Sequence, residues 1–141
     1  MPLSLQNKKI IISAGASGIG WATAKVSLTR GAIVYLCDID NKSLNKTKKH
    51  PLHKKKLFSY ECDAADEYDV SNFFEKIKKK TKKIDGLINN VGVAGPTGTI
   101  EKLNSEDWEK TLKINVISHF YFTKLAIPML KKNKGGSIIN I

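Results

Sequence analysis

Ile10-Ile-Ile-Ser-Ala-Gly-Ala-Ser-Gly-Ile-Gly20 is an apolar, β-branched run that breaks into three glycines and passes into a helical pattern. It reads as strand, tight turn and helix. Backbone N–H groups at such a helix start are unpaired and carry the positive end of the helix dipole, so a phosphate can sit against them. Glycine at Gly15, Gly18 and Gly20 would let it approach closely. Alone, the three glycines are equally compatible with an ordinary βα turn, and the surrounding chain has to decide.

Working outward, Lys9 to Ser13 is the first strand, apolar at its centre as a strand covered on both faces should be. Gly18 to Arg30 has helical spacing through Ile19, Ala22 and Val26, and Gly31 ends it. Ile33 to Cys37 forms a second strand closed by Asp38, and Asn41 to His50 a polar helix anchored by Leu44 and stopped by Pro51. Lys56 to Cys62 is a third strand ending at Asp63. Tyr68 to Lys83 follows as a helix whose apolar face is Val70, Phe73, Phe74 and Ile77. Asp85 to Asn89 is a fourth strand, followed by a Gly- and Pro-containing loop to Gly98. Asn104, with Asp107 three residues on, opens a long helix through Trp108, Leu112, Val116, Phe120, Leu125 and Met129, whose last turns Pro128 should loosen or end. Gly135 to Ile141 reads as a fifth strand.

Alternating strands and helices specify an α/β domain with right-handed crossovers, here a Rossmann-type doubly wound parallel sheet of five strands in the order 3-2-1-4-5. Residues 1–141 form one such domain. Ligands bind such sheets at the carboxyl ends of the strands, at the switch point. The glycine turn, Asp38, Asp63 and Asn89-Asn90-Val91-Gly92 each follow a different strand, so four strand ends converge on a nucleotide site.

Asp38 lies 18 positions after Gly20, where a carboxylate would accept hydrogen bonds from the adenosine ribose hydroxyls. It would repel a 2′-phosphate, and neither Ala16 nor Ser17 offers a cation to offset that, so NAD is favoured over NADP. The competing reading makes Asp38 the N-cap of the next helix; Asp63 has a similar alternative beside Ala64-Ala65-Asp66.

The net charge of +11 raises the question of nucleic acid. Arg30 is the sole arginine, and no aromatic residues interleave the lysine runs Lys42 to Lys56 and Lys76 to Lys83. Sequence-specific readers favour arginine and single-strand binders use aromatics, so a specific nucleic-acid partner is not expected, whereas weak, salt-sensitive attraction to polyanions remains compatible. Cys37 and Cys62, in strand-like runs without CxxC spacing, read as buried thiols, and no metal site is evident. The first residues, Met1-Pro-Leu-Ser-Leu-Gln, are too short and weakly apolar for a signal peptide, and no run approaches a membrane span. A cytoplasmic protein is the expectation.

Together these motifs resemble the short-chain dehydrogenases/reductases over the whole chain. That family's Thr-Gly-x-x-x-Gly-x-Gly appears as Ser13-Ala14-Gly15-Ala16-Ser17-Gly18-Ile19-Gly20, with Ala14 in place of the first glycine, which is tolerable where φ is negative. Asn89-Asn90-Val91-Gly92 matches Asn-Asn-Ala-Gly, Asp63 with Ala64 matches the adenine-contacting aspartate, and Asn115 matches the asparagine of the catalytic tetrad. The resemblance implies a cofactor site of Ser13, Gly15, Ser17, Gly18, Ile19, Gly20, Asp38, Ile39, Asp63, Ala64, Asn90, Val91 and Gly92. It also implies NAD-dependent hydride transfer between a secondary alcohol or ketone and nicotinamide.

The family's serine and Tyr-x-x-x-Lys follow the fifth strand and do not occur in this sequence; Tyr121 with Lys124 has the wrong spacing and lies before that strand. The expectation is therefore a cofactor-binding half that retains Asn115 but lacks the acid/base, C-terminally incomplete relative to the family. The alternative is a non-catalytic dinucleotide-binding or decayed fragment. An open edge and apolar surface are expected at the fifth strand, with self-association into a homo-oligomer or partial order beyond Asn104.

Overall fold

The five strands are β1 (Lys9–Ile12), β2 (Ile33–Asp38), β3 (Leu57–Glu61), β4 (Gly86–Asn89) and β5 (Ser137–Asn140), and every pairing between them is parallel in the order β3-β2-β1-β4-β5. The computed structural model describes residues 3–141; Met1 and Pro2, on which the signal-peptide reading partly rests, lie outside it. Between the strands run α1 (Gly18–Thr29), α2 (Asn41–Thr47) and α3 (Glu67–Lys78). After β4 come a short 3₁₀ turn (Ile100–Lys102), α4 (Ser105–Leu112), one π turn (Lys113–Ile117) and α5 (Ser118–Lys132).

Because successive strand residues point to opposite faces, the sheet separates two cores. Ile11, Tyr35 and Leu87 join Phe73, Phe74 and Ile77 of α3 and Phe122 and Ala126 of α5 on one side. Ile10, Ile12, Val34, Leu36 and Ile88 join Ala24 and Leu28 of α1 and Leu44 of α2 on the other. The three phenylalanines pack with ring centroids 5.7–5.9 Å apart, and truncating any one to Ala would cost about 3–5 kcal/mol.

Three expectations about helices are corrected. On α1 the buried positions are Gly20, Ala24, Ser27 and Leu28, while Ile19 and Val26 are more than half exposed. The small residues Gly20, Ala24 and Ser27 let helix and strands approach closely, and Leu28 fills the core beyond them. The long helix is interrupted: Trp108, Leu112, Val116 and Phe120 form an exposed stripe, and the buried one is Ser118, Phe122, Ala126, Met129 and Leu130. Pro128 does not end α5, which continues to Lys132. Pro128 and Lys124, whose carbonyl loses its helical partner, are both exposed, so water can satisfy that carbonyl.

β5 is one of the two edge strands and is open. Ile139 and Ile141 are about half exposed (51% and 56%), and a groove of about 930 Å³ runs between β5 and α1, lined in part by Ile10, Val26, Ile88 and Ile139. The elements remain regular past Asn104 through α4, α5 and β5.

At the opposite ends of the strands Asp85 ties β1 to the loop before β5. It accepts from Lys9 N–H (2.9 Å), Lys8 Nζ (3.0 Å) and Asn133 Nδ2 (3.1 Å). Burial opposes charge on this carboxyl, but these bonds outweigh it and hold its pKa below the usual carboxylate value.

Candidate functional site

The turn after β1 carries its strain at a residue with a side chain. Ala14 has φ 48°, in the left-handed region and not the negative φ at which alanine is tolerated without strain. Gly18, with φ 51°, is the turn's other left-handed position. Gly15 and Gly20 are required for space instead: a Cβ at Gly15 would lie 2.7 Å from Leu36 Cβ, and one at Gly20 would strike Ala14 O and the Asn90 amide.

The turn is held from outside. Gly15 N–H donates to Cys37 O (2.8 Å), and Asn90 Nδ2 donates to Ser13 O (3.2 Å) and Ala14 O (2.9 Å). Ser13 is fully buried, and its hydroxyl accepts from Asn90 N–H (2.9 Å) and Val91 N–H (3.3 Å). Ser13 and Asn90 thus lock the glycine turn to the segment after β4. Sequence reasoning placed both among cofactor-binding residues; their visible work is to shape the loop.

Asp38, 8% exposed, lies at the end of β2 against this turn. Its Oδ2 accepts from Ala16 N–H (3.0 Å) and its Oδ1 from Asp40 N–H (3.1 Å). It is not the cap of α2. That role belongs to Asp40, which the sequence reading passed over and which accepts from Lys42 N–H (3.1 Å) and Ser43 N–H (3.2 Å). Its position just before Asn41 was the available signal.

Asp63 accepts from Ala65 N–H (2.9 Å) in a local turn, and Asp66 caps α3 by accepting from Asp69 N–H (2.9 Å). Ala64 is buried beside it, whereas Ile39 stands 63% exposed beyond Asp38. Ser17, Gly18 and Ile19 are exposed at the start of α1.

Of the three helices that start from a strand end, α1 alone lacks a cap. Ser17 is extended (φ −146°) with no side-chain bond to the helix, and the first turn has no acidic residue. Its first amides are free for an anion, with the positive end of the dipole behind them.

Asn115 occupies the π turn, an irregularity frequent at functional sites. Its Oδ1 accepts from Val93 N–H (2.7 Å) and its Nδ2 donates to Val93 O (2.8 Å), so it pins the loop after β4. Asn89, fully buried, donates to Thr123 Oγ1 (3.1 Å) and Asn140 Oδ1 (2.8 Å), leaving its own Oδ1 unpartnered. Tyr121 and Lys124 form no pair of chemical interest: Lys124 bridges to Glu67 (3.1 Å) from α5.

Cys37 on β2 and Cys62 just after β3 are buried free thiols, and burial, with the second thiol beside it, pushes the Cys37 pKa up. Among the described residues no helix is long and apolar enough to cross a membrane, and no cluster of three His, Cys, Asp or Glu residues could hold a metal.

A profile of the family described as short chain dehydrogenase matches residues 8–141. The "CLA biosynthesis dehydrogenase/reductase" of Lactiplantibacillus plantarum is 34% identical over 138 residues, covering 96% of this chain and 48% of that protein. The fold superposes on levodione reductase with a TM-score of 0.87 at 24% identity, covering 94% of this chain and 53% of the other. A Pseudomonas aeruginosa protein, RhlG, solved as an "NADP active-site complex", gives 0.82 at 24% identity, with 92% and 50% covered. The chain spans about half the length of the curated relatives it matches.

Proposed function

Because the chain belongs to the short-chain dehydrogenase family, we propose that it binds a nicotinamide dinucleotide, NAD in preference to NADP, as the cofactor half of an oxidoreductase acting on a small alcohol or carbonyl compound. The observation that carries this reading is the uncapped start of α1, set beside Asp38 through the Ala16 N–H bond.

The residues present fit the cofactor. Free amides at Gly18 to Gly20 would take the pyrophosphate, and the close approach at Gly20 leaves no Cβ in the way. Asp38 retains lone pairs for the ribose hydroxyls after its two backbone bonds. Exposed Ile39 offers an apolar face to adenine, with Asp63 and Ala64 at the neighbouring strand end. The segment Asn90-Val91-Gly92, fixed by Ser13, and Asn115, fixed on Val93, would line the nicotinamide side. Bound there, the cofactor supplies hydride transfer. The chain's own contribution is binding and orientation, and the proton-transferring serine, tyrosine and lysine of the resemblance match no residue among these 141.

The NAD preference rests on Asp38, since a carboxylate without a neighbouring cation disfavours a 2′-phosphate. The exposed stripe Trp108, Leu112, Val116 and Phe120 supports self-association, and two free buried thiols suit a cytoplasmic setting. NADH and NADPH fluorescence titrations test the reading: NADH should bind at least about tenfold tighter, a difference of about 1.4 kcal/mol, and Asp38→Asn should narrow the gap. Equal or tighter NADPH binding would remove the specificity; no saturable signal with either up to millimolar concentration would remove the cofactor site.

A further inference from the structure

The whole of the positive net charge falls in two segments of the chain, parts of which meet at one edge of the sheet. Thirteen of the 24 Lys and Arg residues fall in Lys42–Lys56 and Lys76–Lys83, segments with no Asp or Glu, while the rest carries eleven against all 13 acidic residues. β3 is the edge strand between these segments. Lys48, His53 and Lys54, following β2, and Lys80, beyond the end of α3, surround a concave basin of about 710 Å³ floored by Phe58, Ser59 and Tyr60.

Folding therefore interleaves aromatics with lysines that are separated in sequence. Phe58 stacks one face on Tyr35 (centroids 5.3 Å, 15° between planes), and Lys80 Nζ lies 4.4 Å from its centroid. Lys76 Nζ stands 5.9 Å from the Tyr60 ring. Among the described residues Lys48, Lys54, Lys76 and Lys80 have no carboxylate at ion-pair distance; in the two segments only Lys78 does, to Glu75. Burial, then Lys54 and Lys48, lower the pKa of His53, as expected in a concentrated cationic field.

We propose that this basin is a docking surface for single-stranded nucleic acid, bound without sequence specificity. Lys48, Lys54, Lys76 and Lys80 hold the phosphodiesters, and a base stacks on the Phe58 or Tyr60 ring as the flexible lysine above it swings to a phosphate. Stacking on aromatics beside a basic groove is the physics of sequence-tolerant strand binding, and lysine suffices because no base edge is read. The surface lies on the outer edge of β3 and does not include the glycine turn or Asp38.

The test is fluorescence anisotropy of the protein with fluorescein-labelled oligo(dT) and oligo(U) twelve-mers. Saturable binding is expected, and four phosphate contacts predict that it weakens about 50-fold between 50 and 200 mM salt, from a log–log slope of about −2.8. Lys48→Gln/Lys54→Gln/Lys80→Gln should weaken binding at least tenfold. Lys25→Gln/Lys110→Gln/Lys132→Gln, with the same change of net charge, should alter it less than twofold, and both variants should keep the circular dichroism of the parent. Saturating NADH should not displace the oligonucleotide. Equal weakening by the two triples would reduce the effect to net charge. Inorganic polyphosphate or polyglutamate competing as well as unlabelled oligonucleotide at matched charge would remove the stacking role. Absence of saturation at 50 mM salt, or displacement by NADH, would overturn the proposal.

Discussion

Ala14→Gly should stabilise the protein, an outcome opposite to the usual effect of introducing glycine. The left-handed conformation of Ala14 (φ 48°) costs about 1–2 kcal/mol for a residue with a Cβ, and glycine would release it. Against this, glycine gives the unfolded chain extra freedom worth about 0.4–1 kcal/mol. The expected balance is a gain of about 0.5–1 kcal/mol, or about 2–4 °C in Tm for a domain of this size. Gly18→Ala is the mirror experiment: φ is 51° and nothing lies within 4 Å of the added Cβ, so its loss of similar size would be purely conformational. Urea unfolding at 25 °C followed by circular dichroism, with thermal melts in parallel, reads both. The loop would hold Ala14 in place through the Gly15 to Cys37 bond and the Asn90 amide, so native geometry should be unchanged in the glycine variant. A neutral or destabilising Ala14→Gly, or a costless Gly18→Ala, would refute the assignment of strain to these two positions.

Gly20→Ala should lose about 2 kcal/mol and saturable NADH binding together, because its Cβ meets Ala14 O and the Asn90 amide; differential scanning fluorimetry with the NADH titration checks both. Asp85→Asn should cost about 1 kcal/mol at pH 7 through weakened bonds to Lys8 and Lys9. The folded pKa of Asp85 is depressed, so its contribution is present above the unfolded value of about 3.9 and disappears as pH falls through the folded pKa; parent and variant urea midpoints should converge in acid. Asn115→Leu removes both bonds to Val93 and should cost about 1–3 kcal/mol, with faster hydrogen exchange at the Val93 amide as the local readout.

The strands were legible because a buried parallel sheet demands apolar runs, and their order followed from the α/β alternation. Strand ends put Asp38 and Asn90 against the same glycine turn for the same reason. Helix faces were less legible. Ile19 and Val26 are large apolar residues of α1, yet the sheet takes Leu28 together with the small residues Gly20, Ala24 and Ser27, because close packing along one face selects size as well as hydrophobicity. In the long helix the step from Phe120 to Leu125 rotates about 140°, so a line drawn through both crosses from the exposed face to the half-buried one. The π turn at Asn115 has no compositional mark; its evidence is the two bonds to Val93, a contact spanning 22 residues.

The glycine turn itself changes meaning once its neighbours are visible. Glycine supplies clearance at Gly15 and Gly20, while the turn at Ala14 is bonded from outside by Cys37 of β2 through its carbonyl and by Asn90, just after β4, through its amide. Asn90 is also fixed by the buried Ser13 hydroxyl. The N-terminal end of α1 and the segment after β4 therefore share one hydrogen-bond network, so a change in either should shift the other. Double-mutant cycles between Ala14→Gly and Asn90→Ala make this measurable: if the turn is held by Asn90, relieving the strain at Ala14 should reduce the cost of losing the amide, giving a coupling of about 0.5 kcal/mol or more. Additive effects would mean that the turn keeps its shape without the amide, and that the two sides of the site are independent.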